Sequence, residues 1–323
     1  MDTDRRELLA GMLVSTGLAM MANQPVMAAR TRKFGGVKDA SAILIRDPDG
    51  RDAMRYLFGA LPAGEKGPAV PGTAYTHPLW TPGGEIVTDV AAPDHPHHRG
   101  VFCAWINVDG EKRGDWWGWG ARAPKDGRAI VSRSAGLLST GRSSAALEAV
   151  NAWQADGVDV LIETMRVTAS QQHGCNVLDY IYTFMPATNR PVTIAQNPFG
   201  GFCYRAKPRG AIVISDPSGP LDLKDSWQDS YELNWPARPW YDFSTTAPDG
   251  KVAGGAVLDH PGNPPSTWHI IRGAYMVNPC IVAPGAIEIQ PGKGLTLRHR
   301  VVSHDGPADA AVLNRLHREF ARS

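Results

Sequence analysis

From about residue 40 onward, the apolar residues of this chain recur at every second position rather than every third or fourth. Leu295, Leu297, His299 and Val301 share one face of a segment whose other face carries Thr296, Arg298 and Arg300. A period of two marks a strand with one buried side and excludes an amphipathic helix there. Val158 to Val167 and Val177 to Phe184 read as long neighbouring strands, linked by the polar stretch Ser170 to Gly174. Ala129 to Arg133, Ala145 to Trp153, Ile43 to Arg46 and Val252 to Leu258 add further strands. Ile287 and Ile289 alternate with Glu288 and Gln290, and Pro291-Gly292-Lys293-Gly294 reads as a hairpin turn into the Leu295 segment. Helical spacing is confined to the end of the chain. There Pro307 is placed to open a helix with the apolar stripe Val312, Leu313, Leu316 and Phe320.

Many strands and one helix predict an all-β fold, either a sandwich or a barrel, with long loops and a C-terminal α-helix. The 34 glycines and 26 prolines, just under a fifth of the 323 residues, supply the turns such a fold needs. No Gly-rich strand-to-helix turn is present, which argues against a dinucleotide fold. With 43% hydrophobic and 20% charged residues the chain is too apolar to be disordered. A net charge of +1, with no basic stripe beside the aromatics, gives no reason to expect nucleic acid as a partner.

The first thirty residues read as an address. Asp4-Arg5-Arg6-Glu7-Leu8-Leu9 is followed by a mildly apolar run from Leu8 to Ala22, then by Val26-Met27-Ala28-Ala29, small residues where a signal peptidase can cut. The expectation is an export signal over residues 1–28, of twin-arginine type from its arginine pair, and one domain over 29–323 in the periplasm or otherwise exported. Asp4, and Ala10 where such signals often carry Lys, depart from the twin-arginine pattern. The run is shorter than the roughly 18–20 residues that span a bilayer, and no later stretch is long and apolar enough, so no membrane insertion is expected after cleavage. The four cysteines, Cys103, Cys175, Cys203 and Cys280, are widely spaced without a CxxC pair. That spacing argues against a zinc ribbon and leaves disulfides and buried free thiols both open.

The region Pro62 to Gly127 is irregular and rich in Pro, Gly, His and Trp, and such a stretch in a compact protein is usually functional. Its densest cluster is Asp94-His95-Pro96-His97-His98-Arg99-Gly100. Three imidazoles, a carboxylate and a guanidinium so close together suit acid–base catalysis or a metal site. A metal would need further ligands, for which His77, His260 and His269 are candidates. Asp115-Trp116-Trp117-Gly118-Trp119-Gly120 places three tryptophans in four positions. Adjacent side chains of a strand point opposite ways, so at least one is expected at the surface or lining a cleft, where an indole face suits a sugar ring. Two further polar loops, Asn197-Pro198-Phe199-Gly200-Gly201-Phe202 and Asp259-His260-Pro261-Gly262-Asn263-Pro264-Pro265 with Trp268-His269, complete the set. His299, on the apolar face of its strand, reads as a core histidine. His173, His304 and His317 read as surface residues.

These loops carry a resemblance. His77-Pro78-Leu79-Trp80-Thr81-Pro82-Gly83-Gly84, the Asp94 to Gly100 cluster, Asp115-Trp116-Trp117-Gly118 and Asp259-His260-Pro261-Gly262-Asn263-Pro264 with Trp268-His269 are similar to a bacterial family labelled PmoA-like, or "methane oxygenase PmoA". The likeness runs from about residue 40 to the terminal helix. It implies a large β-sandwich akin to galactose mutarotase and carbohydrate-processing enzymes, in exported proteins, and it brings no established catalytic residues.

The leading expectation is therefore an exported carbohydrate-active enzyme that breaks a glycosidic bond by hydrolysis or elimination. His97, His98, His260, Asp94 and His95 are its candidate catalytic residues. His77, Arg99, Trp116, Trp117, Asn197, Asn263 and His269 are its candidate substrate contacts, with Trp116 and Trp117 as stacking walls. Asp94 and Asp115 are the nearest carboxylates for the pair a glycosidase needs. Two alternatives stand beside it. One is a mutarotase-like epimerase using His98 and His260, and the other is a glycan-binding protein without catalysis. No cofactor is specified by the sequence, although a divalent metal fits the histidines, and no oligomeric state is implied.

Overall fold

A computed structural model describes residues 32–59, 74–93, 95–118, 127–227 and 229–323. The expected leader, Asp94 and Trp119 lie outside the described residues. The fold is a β-sandwich of two large antiparallel sheets. One has eight strands in the order Gly35–Lys38, Ala42–Arg46, Asp52–Leu57, Tyr75–Leu79, Val101–Ala104, Gly201–Arg205, Met276–Cys280, Thr267–Ile271. The other has nine, in the order Arg128–Thr140, Ser144–Ala155, Val158–Gln172, Cys175–Pro186, Leu295–Asp305, Val252–Asp259, Trp240–Thr246, Ala211–Asp216, Gly219–Leu221. A four-stranded sheet, containing Ile287–Ile289, Val192–Ile194, Val108–Asp109 and Arg113–Gly114, and the pair Val90–Ala92 with His95–Arg99 complete the strands.

The two large sheets face each other through alternate side chains, as period-two patterning requires. The Tyr180 and Tyr182 rings lie 5.5 and 6.1 Å from Phe202, and Trp105 packs edge-on to Phe184 at 4.8 Å. Polar bonds also cross the gap. The Tyr180 hydroxyl donates to Thr76 Oγ1 at 2.8 Å, and Asn151 Nδ2 donates to the Tyr56 hydroxyl at 3.2 Å. The predicted long hairpin is present. Val158–Gln172 pairs with Cys175–Pro186 in continuous register, and His173 and Gly174 take the positive φ that a two-residue turn demands.

The predicted C-terminal helix is Ala310–Phe320, and it begins later than Pro307. Asp309 is its cap, accepting from the amides of Ala311 and Val312. Leu313, Leu316 and Phe320 form a second apolar cluster with Trp240, Leu258 and Val302, on the opposite face of the nine-stranded sheet from the main core. Two expectations are corrected. Ile287–Ile289 pairs with Val192–Ile194 rather than forming a hairpin with Leu295–Asp305, whose ladders run to Cys175–Pro186 and Val252–Asp259. His304 is buried rather than exposed, with Nε2 2.7 Å from Asp242 Oδ1, and that carboxylate offsets the effect of burial and raises the imidazole pKa. All four cysteines are free and buried. No helix among the described residues is long and apolar enough to cross a membrane.

Candidate functional site

The histidine strand His95–Arg99 is set against the eight-stranded sheet by one glycine. Gly100 has φ 59°, and a Cβ there would collide with the Thr76 carbonyl and the His77 side chain. Only a residue without a side chain lets the chain turn at that close approach and enter Val101–Ala104. That strand lies between Tyr75–Leu79 and Gly201–Arg205. Arg205 is then tied in by its own backbone, its amide donating to the Gly100 carbonyl at 2.7 Å and its carbonyl accepting from Asp89 at 3.1 Å. The far side of the site comes from Thr267–Ile271, which pairs His269 with Asn278 of Met276–Cys280. Buried Asn278 also pins the Phe199 loop, accepting from the Gly200 amide and donating to the Phe202 carbonyl.

These elements enclose a small cavity lined by His95, His97, His98, His269, Trp117 and Phe199, with Ile271 and Met276 at its side. Only about 10 Å³ of it is free to a water-sized molecule, far below the roughly 300–1,000 Å³ of ordinary ligand pockets, so a larger ligand would meet these side chains from the solvent side. His95 stacks on His98 at 4.7 Å, and His97 meets His98 edge-on at 4.5 Å. Trp117 lies 5.8 Å from His98, and Phe199 lies 5.2 Å from His269.

Hydrogen-bond partners fix two of the imidazoles. Arg205 Nη1 sits 3.3 Å from His98 Nδ1, and the same nitrogen donates to the Ala274 carbonyl. A guanidinium has donors alone, so His98 Nδ1 accepts and Nε2 carries the proton. Burial, then the charges of His97, Arg205, His95 and Arg99, hold His98 well below the usual histidine pKa and therefore neutral. His269 is the complement. Its Nδ1 lies 3.1 Å from Asn234 Oδ1, while Asn234 Nδ2 donates to the Pro198 carbonyl and to Thr267 Oγ1. With the amide thus oriented, His269 donates from Nδ1 and keeps Nε2 as the basic nitrogen. Burial pushes its pKa down to about 3. Of these two imidazoles, His98 thus offers an N–H at Nε2 and His269 a lone pair at Nε2.

The other predicted site residues lie elsewhere or do other work. His260 is not with the histidine strand. It packs edge-on against Phe320 at 5.0 Å, under the terminal helix, and its Nδ1 accepts from the Gly262 amide. Asn263 is a brace rather than a sugar contact: it donates to Asp259 Oδ1 and the Arg298 carbonyl and accepts from the Arg298 amide. Asn197 donates to the Phe199 carbonyl and shapes its own loop. His77 is half-buried on the neighbouring strand, with Nδ1 3.0 Å from Thr88 Oγ1. Arg99 is buried at the end of the histidine strand and does not line the cavity. Asp115 accepts from the Gly118 amide in a tight turn.

Of the two expected stacking walls, Trp116 is corrected, while Trp117 lines the cavity. Trp116 and Trp117 are both buried, because this segment is a bend rather than a strand, with both amides donating to the Trp105 carbonyl. Trp116 turns toward Trp153 and donates from Nε1 to the Gln154 carbonyl, so it is core and not a stacking wall. Trp117 alone of the two reaches the histidines. Trp227, 63% exposed, is the single fully exposed tryptophan among the described residues.

The model of a family of unknown function, DUF6807, matches residues 47–318 of the sequence. The chain belongs to the DUF6807 family. No curated protein matches it. Among solved structures, the GH36 alpha-galactosidase AgaA from Geobacillus stearothermophilus is similar at 12% identity and a TM-score of 0.39, over 84% of this chain and 41% of that one. A variant of the same enzyme in complex with stachyose matches at 11% identity and a TM-score of 0.38, over 85% of this chain and 40% of that one. The alpha-galactosidase from Lactobacillus brevis matches at 8% identity and a TM-score of 0.36, over 84% and 39%. This DUF6807 chain thus spans about two fifths of the length of the solved structures it matches.

Arg205, Asn234, Ile271 and Met276 belong to this site although sequence reasoning did not nominate them. Arg205 had a faint signal, a charged residue ending an apolar strand, and the others had none. Two larger cavities, of about 160 and 290 Å³, flank the start of the terminal helix. The imidazole of His304 beside them already has partners at both nitrogens, Asp242 and the Gly306 carbonyl. Among the described residues of this DUF6807 protein, no group of three or more His, Cys, Asp or Glu is arranged to hold a metal ion.

Proposed function

We propose that the histidine cavity binds a single sugar residue and performs proton transfer on it, breaking a carbon–oxygen bond by elimination or by reversible ring opening. The observation that carries this reading is the pair of oriented imidazoles on one small aromatic-lined cavity, with a lone pair on His269 and an N–H on His98. His269 Nε2 takes a proton from the sugar. The electron pair of the broken C–H or O–H bond forms a C=C or C=O bond, the C–O bond breaks, and its oxygen takes the His98 Nε2 proton, which is restored by solvent exchange as His269 gives up the proton it took. Trp117 and Phe199 supply apolar faces for the ring. No carboxylate lines the cavity among the described residues, and hydrolysis by a carboxylate pair needs two. That favours proton transfer over hydrolysis and moves the epimerase partner of His98 from His260 to His269.

Incubation with free sugars and glycosides in D2O, followed by NMR, tests the reading. Accelerated anomer exchange or an unsaturated product is expected. His98→Ala and His269→Ala should each slow it on the order of 100-fold or more, while His260→Ala leaves the rate unchanged. Equal activity in the His98 and His269 variants would sink the assignment. A second reading, sugar recognition without chemistry, draws on the neutral state of both imidazoles, which also suits plain hydrogen bonding. It predicts sugar binding with no exchange or product at any pH.

A further inference from the structure

Four large apolar side chains stand exposed within one short segment after the strand Gly219–Leu221. They are Leu223, Trp227, Tyr231 and Leu233, each between 41% and 63% exposed. Single exposed apolar residues are ordinary, but four within eleven positions, an indole and a phenol among them, form a patch. The segment is not loose chain. The amides of Ser230, Leu233 and Asn234 close tight turns by donating to the carbonyls of Trp227, Ser230 and Tyr231. An ordered backbone thus holds these apolar groups in water, the reverse of what burial favours.

Both ends of the segment are fastened to the strand that carries His269. Thr267–Ile271 is the last strand of the eight-stranded sheet, and residues of this segment bond to its outer edge. The Ser226 amide donates to the Ile270 carbonyl at 2.9 Å, and the Ile270 amide donates to Ser226 Oγ at 3.1 Å. At the other end Trp235 and Trp268 exchange backbone hydrogen bonds of 2.7 and 2.9 Å. Ile270 lies between His269 and Ile271, which both line the histidine cavity. Trp227 directly follows Ser226, and Leu233 precedes Asn234, whose Oδ1 accepts from His269 Nδ1. The spacing of paired strands and of successive Cα atoms puts the Trp227 backbone within about 10 Å of the cavity strand. Only about 10 Å³ of the cavity is free to a water-sized molecule, so a ligand held there lies mostly outside it, over the surrounding surface.

Charge selects the partner. Asp222, Asp225, Asp229 and Glu232 lie among the apolar residues, with Lys224 as the one cation between Asp222 and Asn234. Asp222 pairs with Arg272 at 3.1 Å, which leaves the excess negative. Indole and phenol rings cover the apolar faces of a pyranose, and carboxylates accept from its hydroxyls. The same carboxylates repel an anionic sugar. They also disfavour a symmetric contact with a second copy, which sets each acidic patch against its own image. Four half-exposed side chains supply roughly 400 Å², about half of the roughly 800 Å² that a stable interface takes from each partner.

We propose that this patch is a stacking platform for the part of a neutral sugar chain that extends beyond the histidine cavity. The ligand class is then an uncharged oligosaccharide rather than a lone monosaccharide. The inference rests on the sugar reading above for the residue at the histidines, and on Trp227 and Tyr231 for the residues that follow.

Titration calorimetry of the full chain tests it, with glucose, mannose and xylose set against cellotetraose, maltotetraose, mannotetraose and xylotetraose. At least one tetrasaccharide is expected to bind on the order of 10-fold or more tighter than its monosaccharide. Trp227→Ala should bring that ratio close to one without lowering the unfolding temperature, since the side chain is exposed. Trp227→Tyr should keep most of the gain, because a planar ring remains. A ratio near one in the wild type overturns the proposal, as does an unchanged ratio in Trp227→Ala or the absence of binding by every sugar of the panel. A dimer in sedimentation equilibrium that Leu233→Asp dissociates assigns the patch to a second copy and overturns it too. The two readings fail separately. Tetrasaccharide binding that needs Trp227 without proton exchange or product sinks proton transfer and leaves the platform, whereas exchange on monosaccharides without a chain-length effect does the opposite.

Discussion

At the scale of single residues, burial decides chemistry more than residue type does. His299 is fully buried, stacked on Phe202 at 4.3 Å, as its place on an apolar strand face implied. Its Nδ1 lies 3.3 Å from Asp259 Oδ1, but burial holds the imidazole pKa near 3 and pushes the Asp259 carboxyl up to about 6. The contact at neutral pH is therefore between a neutral ring and a carboxylate, not an ion pair. The folded pKa of His299 is depressed, so its contribution to stability is present above about pH 6.5 and is lost as pH falls toward about 3. Both ring nitrogens lack a hydrogen-bond partner. His299→Leu should accordingly match or exceed the wild type in stability at pH 7. Below pH 6.5 it should gain on the wild type by at most about 1.4 kcal/mol per pH unit, as read from urea unfolding midpoints. A parallel acid decline in both proteins would contradict this.

At the scale of elements, the terminal helix and the histidine strand show how far a local pattern reaches. The apolar stripe Val312, Leu313, Leu316 and Phe320 was legible because helix spacing is set by the backbone alone. Its start was not, because Asp309, not Pro307, supplies the side chain that satisfies the first free amides. Asp309→Ala should cost about 1 kcal/mol, measurable as a lower unfolding midpoint with a near-native circular dichroism spectrum. An unchanged midpoint would show that the packing of Leu313 and Phe320 on Trp240 holds the helix without its cap. The cluster His95, His97 and His98 was legible in the same local way. Which of its rings had a fixed proton was not, since that depends on Arg205, over a hundred positions away in the chain.

At the scale of the whole molecule, sheet order determines which sequence features meet. Thr267–Ile271 and Gly201–Arg205 flank the same strand, Met276–Cys280, so His269 and Arg205 approach His98 although the three are remote in sequence. His260, only nine positions before His269, belongs instead to the turn after Val252–Asp259 in the other sheet. The same arrangement buries every thiol. Burial raises Cys175 to about 11 and Cys280 to about 12, and raises Cys103 and Cys203 as well. Thiolate is the reactive form, so the native protein should not react with a thiol reagent at neutral pH and should yield four thiols once denatured. Rapid labelling of even one equivalent in the native state would contradict the packing of these strands.

The sequence by itself determined that the chain is built of antiparallel strands with a terminal amphipathic helix, because alternation and turn residues are properties of neighbouring positions. It also singled out the histidine cluster, because composition concentrates there. The tertiary structure alone decided that Trp116, Asn197, Asn263 and His260 are structural, and that His269 and Phe199 share a cavity with His98, whose ring Arg205 orients. The physical reason is that a side chain's role depends on its burial and on the partner of each polar atom. In a sandwich, those partners come from strands that are adjacent in the sheets and distant along the chain.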